Sequence, residues 1–308
     1  PVGFVLENVE GLVSHDKGNT FKVITRTLSD LGYNIQYKVL NGKDFGLAQS
    51  RKRIYIIGLK NKSVEPLTNF NYSSSVLADI IDIDTPPVSS SFSEKLLSHY
   101  KLSDVYGKAI KDKRGGKNNI HSWDIGLKGE VSEEQSELLE VLLKQRRNKK
   151  WAEIIGIDWM DGMPLTQTMI SSFYKHMDLG TMLEDLVEKG YLTYEHPKKL
   201  VNGKRVPDTT LEKGYNIVTG KLSFEFTKIL SPYDVTPTLV ATDVHKLAVP
   251  VDGGIRSLTV KEGLRLFGFP ETYSLDFLKA SEAFDLLGNT VCVPVIKEVS
   301  IKLLKSYL

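Results

Sequence analysis

Cysteine is nearly missing from this chain: Cys292 is the only one among 308 residues. A lone thiol excludes a disulfide framework and any zinc site built on several cysteines, and it suits a reducing compartment. The 6 histidines are scattered without ligand spacing, so no metal site is expected. Neither sign of charge dominates: 40 Lys+Arg against 38 Asp+Glu leave a net charge of +2, so a nucleic-acid footprint would have to come from local clusters. No apolar run reaches the roughly 18 residues of a membrane span. The first residues also lack the basic-then-apolar order of a signal peptide, and a soluble cytoplasmic protein is expected. Gly115-Gly116-Lys117 lacks the upstream glycine and the Ser/Thr of a phosphate-cradling loop. No repeat of fixed period is present.

What remains is ordinary globular composition, 41% hydrophobic and 25% charged, in a length that suits two domains. The chain opens on Pro1-Val2-Gly3 and runs at once into a strand pattern, which reads as a piece whose upstream part is missing. Gly3 to Leu6 suits a buried parallel strand. Thr20 can cap a helix to about Leu31, with Phe21, Ile24, Leu28 and Leu31 on one face and Gly32 as its stop. Tyr33 to Leu40 and Ile54 to Leu59 are β-rich, the second apolar nearly throughout, as in a strand buried on both faces. After about Asn61 the texture turns to Ser, Pro and polar loops, and near residue 250 it returns to α/β. The expected division is therefore 1–60, an inserted 61–250, and 251–308.

Within the insertion, Ser132-Glu133-Glu134-Gln135 is a capping box ahead of a stripe of Leu138, Leu139, Leu142 and Leu143. The helix is expected to end in Lys144-Gln145-Arg146-Arg147-Asn148-Lys149-Lys150, five positive residues in seven. Further helices fit Leu165 to His176 and Thr181 to Lys189. Tyr191 to Glu195 reads as a strand, and Tyr215 to Val218 with Leu222 to Phe226 about Thr219-Gly220 as a hairpin. Helix, turn, helix and hairpin is the order of a winged helix, which would cover 132–226; a small α+β insert of another kind would read the same way. Near the C-terminus, Thr259 to Leu266 and Glu282 to Leu287 suit short helices, and Pro294 suits the first turn of a closing one.

Four patterns carry chemistry. Glu7-Asn8-Val9 ends the first strand, where open α/β sheets place their ligand crevice and where burial lets a carboxyl group hold a proton near neutral pH. Gln49-Ser50-Arg51-Lys52-Arg53 sets two arginines on one side of an extended segment, one toward a ligand and one toward a phosphate. Arg256-Ser257-Leu258-Thr259 is followed by Glu262, Arg265, Leu266, Gly268, Phe269 and Pro270. The fourth is Gly288-Asn289-Thr290-Val291-Cys292-Val293-Pro294.

In that order the four resemble motifs VI, VIII, IX and X of the DNA cytosine-5 methyltransferases, over residues 1–60 and about 235–308. The resemblance implies the C-terminal part of a Rossmann-like, S-adenosylmethionine-dependent α/β methyltransferase sheet. Into it is inserted an α+β target-recognition domain that binds duplex DNA. It implies methyl transfer to C5 of a cytosine flipped out of the helix, of the kind that protects restriction sites. Glu7 would meet charge at N3 of the base, Arg53 would contact its O2, and Arg51 would lie nearer the backbone. Asn289, Thr290 and Val291 would border the cofactor. Thr236-Pro237-Thr238-Leu239 resembles the Thr-Leu pair near the end of the recognition domain. Gln49, Thr238, Arg256, Arg146, Arg147, Lys149 and Lys150 are the expected DNA contacts, with Lys111, Lys113, Arg114 and Gly115-Gly116 as a further basic stretch.

The family's Phe-x-Gly-x-Gly loop and its Pro-Cys nucleophile do not occur in these residues, and Cys292 reads as a small buried hydrophobe. The chain alone is therefore expected to be inactive, either a fragment or one subunit of a split enzyme whose partner brings the nucleophile. The rival expectation is a non-catalytic DNA-binding or specificity subunit.

Overall fold

The computed structural model describes residues 1–113, 115–219, 224–240 and 243–308. In chain order the elements begin with β1 (Gly3–Val9), α1 (Asn19–Asp30), β2 (Tyr33–Asn41) and β3 (Lys52–Lys60). Next come α2 (Ser91–His99), β4 (Ala109–Ile110), β5 (Asn119–Ile120), α3 (Glu133–Gln145), α4 (Lys150–Ile155), α5 (Gln167–Ser171) and α6 (Leu179–Glu188). There follow β6 (Leu192–Glu195), β7 (Lys198–Val201), β8 (Lys204–Pro207), β9 (Gly214–Ile217) and β10 (Lys228–Ile229). The chain closes with β11 (Leu247–Val251), β12 (Gly254–Ser257), α7 (Val260–Phe267), α8 (Ala280–Gly288) and α9 (Val293–Tyr307). They form two compact units, Pro1–Pro87 with Leu230–Leu308, and Val88–Ile229. The boundaries expected at 60/61 and 250/251 both fall inside the first unit.

The first unit is α/β. Its sheet has the order β1-β3-β2, and β3 pairs antiparallel with both neighbours. Pleating divides β3 between two layers: Ile54 and Ile56 meet Phe21, Ile24 and Leu28 of α1, while Tyr55, Ile57 and Leu59 join the larger core that includes Val295 and Val299 of α9. The near-continuous apolar run of β3 is thus buried on both faces, as its sequence suggested. The expectation for Gly3 to Leu6 needs correction: β1 runs antiparallel to β3, and Leu6 is 43% exposed. Among the described residues β1 has β3 as its one strand neighbour, so its apolar side chains serve packing above and below rather than a parallel ladder. Thr20 is not the cap of α1 either. Gly18, at φ +86°, takes that position, and the Thr20 hydroxyl lies 2.7 Å from His15 Nδ1. Leu31, expected on the buried face, follows the helix end and is exposed.

A buried ion pair organises the other end of this unit. Glu262 is the N3 residue of a capping box with Thr259 at the start of α7, and its carboxylate also receives both guanidinium nitrogens of Arg256, at 2.6 and 2.9 Å. The remaining Arg256 protons go to the carbonyls of Asp82, Thr85 and Ser257, and Asp82 N–H donates to Glu262. Every polar group here has a partner, so the pair joins β12, α7 and the 82–85 loop without a desolvated remainder.

The second unit has its own core, in which Leu138, Leu139, Leu142 and Leu143 of α3 meet Ile170, Leu183, Leu186, Tyr191 and Ile217. The Ser132–Gln135 capping box is formed in both directions, at 3.2 and 3.0 Å. The helix expected over Leu165 to His176 shrinks to α5, and that expected from Thr181 begins at Leu179. Strand β6 pairs antiparallel with β9, and Leu165 bridges Tyr215. The turn expected at Thr219-Gly220 and the run from Leu222 extend over 220–223, outside the described residues, as does Arg114. A hairpin not anticipated from the sequence is β7–β8, closed by Asn202 (φ +49°) and Gly203 (φ +76°). Both positive φ values belong to a type I′ turn, and Asn-Gly is the strongest short-range signal for one.

Removing one partner of a buried ion pair leaves the other charge uncompensated, so Glu262→Ala is expected to lower unfolding stability by about 3–5 kcal/mol. Urea denaturation measures this; a loss of about 1 kcal/mol or less would rank the pair with exposed ones.

Candidate functional site

In the register of β1 and β3, Glu7 lies opposite Tyr55 and Val9 opposite Arg53. Glu7 and Arg53 are therefore diagonal neighbours on one face, within reach of long side chains. Arg53 Nε lies 3.2 Å from Glu7 Oε1, and its Nη1 donates to its neighbour's carbonyl at Lys52. Arg51, two residues earlier, is 3% exposed. Its Nη2 donates to the carbonyls of Gly288 and Thr290, both at 3.0 Å, and its guanidinium lies 5.1 Å from the Phe267 ring centroid. Burial, and then the neighbouring Arg53, lower its pKa, opposed by Cys292 and Glu7. The two arginines do not simply aim one at a ligand and one at a phosphate: Arg53 faces Glu7, and Arg51 is anchored to the C-terminal segment.

The unmade hydrogen bonds are as informative as the made ones. Arg51 Nε and Nη1 are buried without a hydrogen-bond partner, and Glu7 Oε1, likewise without a hydrogen bond, is held only by its ion pair with Arg53. Such atoms cost about 1–3 kcal/mol each and are normally satisfied. Two Arg51 donors left open beside a Glu7 carboxylate held only by Arg53 fit a planar ligand with complementary edges.

Cys292 caps α9 and is 1% exposed. Burial pushes its thiol up to about 11, partly offset by the cations of Arg51 and Arg53. A Cβ added at Gly42 would come within 3.0 Å of its sulfur, which shows how closely the chain passes over it. The expected role of small buried hydrophobe matches this environment.

The expected cofactor residues lie at the α8–α9 junction. Asn289 is exposed, and its side-chain amide donates to the Asp285 carbonyl; Thr290 and Val291 are half-buried. With the Gly288 and Thr290 carbonyls given to Arg51, these residues do not enclose a cofactor site by themselves.

Several expected DNA contacts need correction. Gln49 is fully buried, donating to Leu266 O and accepting from Leu239 N–H. Thr238 donates to Ser50 O at 2.7 Å, beside a bridge between Gln49 and Thr236. Arg256 is consumed by Glu262. In the second unit, Arg146 is 3% exposed and donates to Asn216 Oδ1 and Ile217 O. Its guanidinium lies where a side chain at Gly162 would clash, so it packs inward instead of facing solvent. Lys149 and Lys150 are exposed, and Arg147 pairs with Asp161 at 2.6 Å. Among the described residues no group of three or more His, Cys, Asp or Glu is arranged to hold a metal ion, and no helix is long and apolar enough to cross a membrane.

Residues 1–305 match the C-5 cytosine-specific DNA methylase family, and the chain belongs to it. The match runs through the middle region as well as through the segments that carry the four motifs. The chain is 58% identical over 311 residues to the Type II methyltransferase M.NlaIV of Neisseria lactamica, an alignment covering 99% of this chain and 73% of that one. It is 56% identical over 313 residues to the Type II methyltransferase M.NgoBV of Neisseria gonorrhoeae, with the same coverage. Among solved structures, the S. pombe Dnmt2 methyltransferase aligns with 99% of this chain and 67% of its own, at 14% identity and a TM-score of 0.41.

A thiol with its pKa near 11 is protonated at pH 8 and poorly nucleophilic. Native chain is therefore expected to resist iodoacetamide at pH 8 and to take one adduct only in guanidinium. Mass spectrometry showing full labelling of the folded chain would contradict this.

Proposed function

We propose that this chain carries the base pocket and target-recognition region of a Type II DNA (cytosine-5) methyltransferase, acting in the cytoplasm to protect restriction sites. What carries the reading is the Glu7–Arg53 ion pair beside the unpartnered nitrogens of Arg51. Cytosine presents donors and acceptors along one planar edge, which such a set complements. As a nucleophile adds at C6, negative charge develops toward N3 and O2. Glu7 meets it at N3 with a proton or hydrogen bond, and Arg53 meets it at O2; donors held in place before the reaction need no reorganisation. Arg51 is a positioning residue that fixes this end of β3 against the Gly288–Thr290 corner.

S-adenosylmethionine, the donor implied by family membership, supplies the methyl group. Asn289, Thr290 and Val291 border at most one side of its site. The 308 residues contain no Pro-Cys, and their sole thiol is buried and protonated. These residues alone therefore have no nucleophile for C6 and transfer no methyl group.

The test uses a preparation in which a Pro-Cys segment is also present. Glu7→Gln keeps shape and hydrogen bonding but removes the acidic proton. It is expected to leave DNA affinity unchanged and to slow single-turnover methylation on the order of 100–1000-fold. Methylation at the parental rate would make Glu7 a structural carboxylate. Tritium transfer to DNA by the 308-residue chain alone would overturn the claim that it lacks a nucleophile.

A further inference from the structure

From α3 onward the chain order of the second unit is α3, α4, a bridging residue Leu165, α5, α6, β6, the β7–β8 hairpin and β9. In space β9 is central, with β6 on one side and Leu165 on the other: Leu165 N–H donates to Tyr215 O at 3.0 Å, and Tyr215 N–H donates back at 2.7 Å. A bridging residue between α4 and α5, two strands after α6, and a hairpin joining those two match the connectivity of a winged helix with the short α4 as an extra helix and β7–β8 as the wing.

In many helix-turn-helix proteins the second helix of the motif enters the major groove. Here the exposed positions of α6 are Thr181, Glu184 and Glu188, two carboxylates and no cation. Phosphates would repel that face. The hairpin has the opposite character: Lys198, Lys199, Lys204 and Arg205 lie within residues 198–207, which contain no acidic residue and are exposed except at Lys198. Lys198 and Lys199 are partly balanced at its base by Glu195 and Asp208. Lys204 and Arg205 stand beside the type I′ turn.

The hairpin also joins a second basic segment. Arg205 Nη2 donates to Trp159 O at 3.0 Å, and Trp159 Nε1 donates to Arg147 O at 3.2 Å. Lys149 Nζ lies 5.9 Å from the centroid of the Trp159 ring, which is 39% exposed. Arg205, Trp159 and Lys149 thus form one cationic surface around an aromatic ring, with Arg147 paired to Asp161 beside it, and Lys199 and Lys204 lie on the opposite face of the same thin ribbon.

Resting on the DNA-directed reading above, we propose that residues 133–217 form a winged-helix module that binds the backbone of duplex DNA on its wing and the adjoining Trp159 corner. The acidic face of α6 stays out of the groove. Charge complementarity selects the partner, since a polyanion of regular phosphate spacing suits cations from two segments around one ring.

The test is anisotropy titration of a labelled duplex with the 308-residue chain over a range of salt. Lys199→Ala/Lys204→Ala/Arg205→Ala should weaken binding and flatten the slope of log K against log salt by about 0.9 for each phosphate that is no longer neutralised. Lys204→Glu, which leaves Arg205 on Trp159, should weaken binding in the same direction with an unchanged melting temperature. Glu184→Gln/Glu188→Gln on α6 should not weaken it. If the parent binds DNA and the wing variants match it in affinity and slope, or if the α6 variant loses binding, the wing assignment is wrong and the DNA-directed reading stands. If the parent shows no salt-dependent binding to duplex, both fall.

Discussion

Arg51 holds residues that are far apart in sequence. Its Nη2 reaches carbonyls 237 and 239 positions further on, at Gly288 and Thr290, from a side chain that is almost wholly buried. Few side chains could do this: the guanidinium stays charged, offers donors in a fixed fork and stacks on an aromatic ring, here Phe267. A lysine at this position would lose the fork and the stacking. Because the bond fixes the end of β3 against the entry to α9, it sets where Arg53 and Glu7 stand. The closeness of Gly42 to Cys292 belongs to the same constraint, since the chain before Arg51 passes over the thiol with room for little more than a hydrogen.

Satisfaction of polar groups sets Gln49, Arg256 and Glu262 apart from Arg51. Gln49, Arg256 and Glu262 are as buried as any apolar core residue, and they find their partners within the unit. Their polarity serves the fold, by tying loops that lack a regular ladder. Arg51 is also in the motifs, yet it keeps two buried nitrogens without partners. A protein that can satisfy Arg256 with three carbonyls and a carboxylate has the means to satisfy Arg51 as well. Leaving it open, close to the Glu7–Arg53 pair, is coherent if another planar group completes the set.

Much of this was legible in the sequence, for reasons that differ by residue. Periodicity located α1, β2, β3 and α3 because their burial is one-sided or complete, and the Ser132 cap follows from local hydrogen bonding that short spacing reveals. The motifs brought Glu7, Arg51 and Arg53 together because their order in the chain carries the resemblance. Strand direction was not legible: Gly3 to Leu6 is apolar for packing on two layers, a pattern shared by parallel and antiparallel strands. Nor did residue type reveal burial. Arg146 and Arg256 look like phosphate ligands in a string of letters, whereas Asn216 and Glu262, the groups that draw them inward, are 70 and 6 residues away. The β7–β8 hairpin had a turn signal in Asn202-Gly203, but its exposed, cationic strands lack the apolar alternation that usually accompanies one.

The net charge of +2 conceals how charge is distributed over the second unit. Glu184 and Glu188 occupy the outer face of α6, while four cations occupy a hairpin a few residues later. Segregation of this kind does little for stability, since exposed charges a Debye length apart are largely screened and mixed signs would serve solubility equally well. It does orient a molecule in the field of a polyanion, favouring approach by one face and opposing it by another. The type I′ turn adds to this effect. By folding Lys199 and Lys204 onto adjacent strands of a narrow ribbon, it concentrates positive charge on an edge thin enough to follow a phosphate backbone, which a helix carrying carboxylates on its outer face could not do.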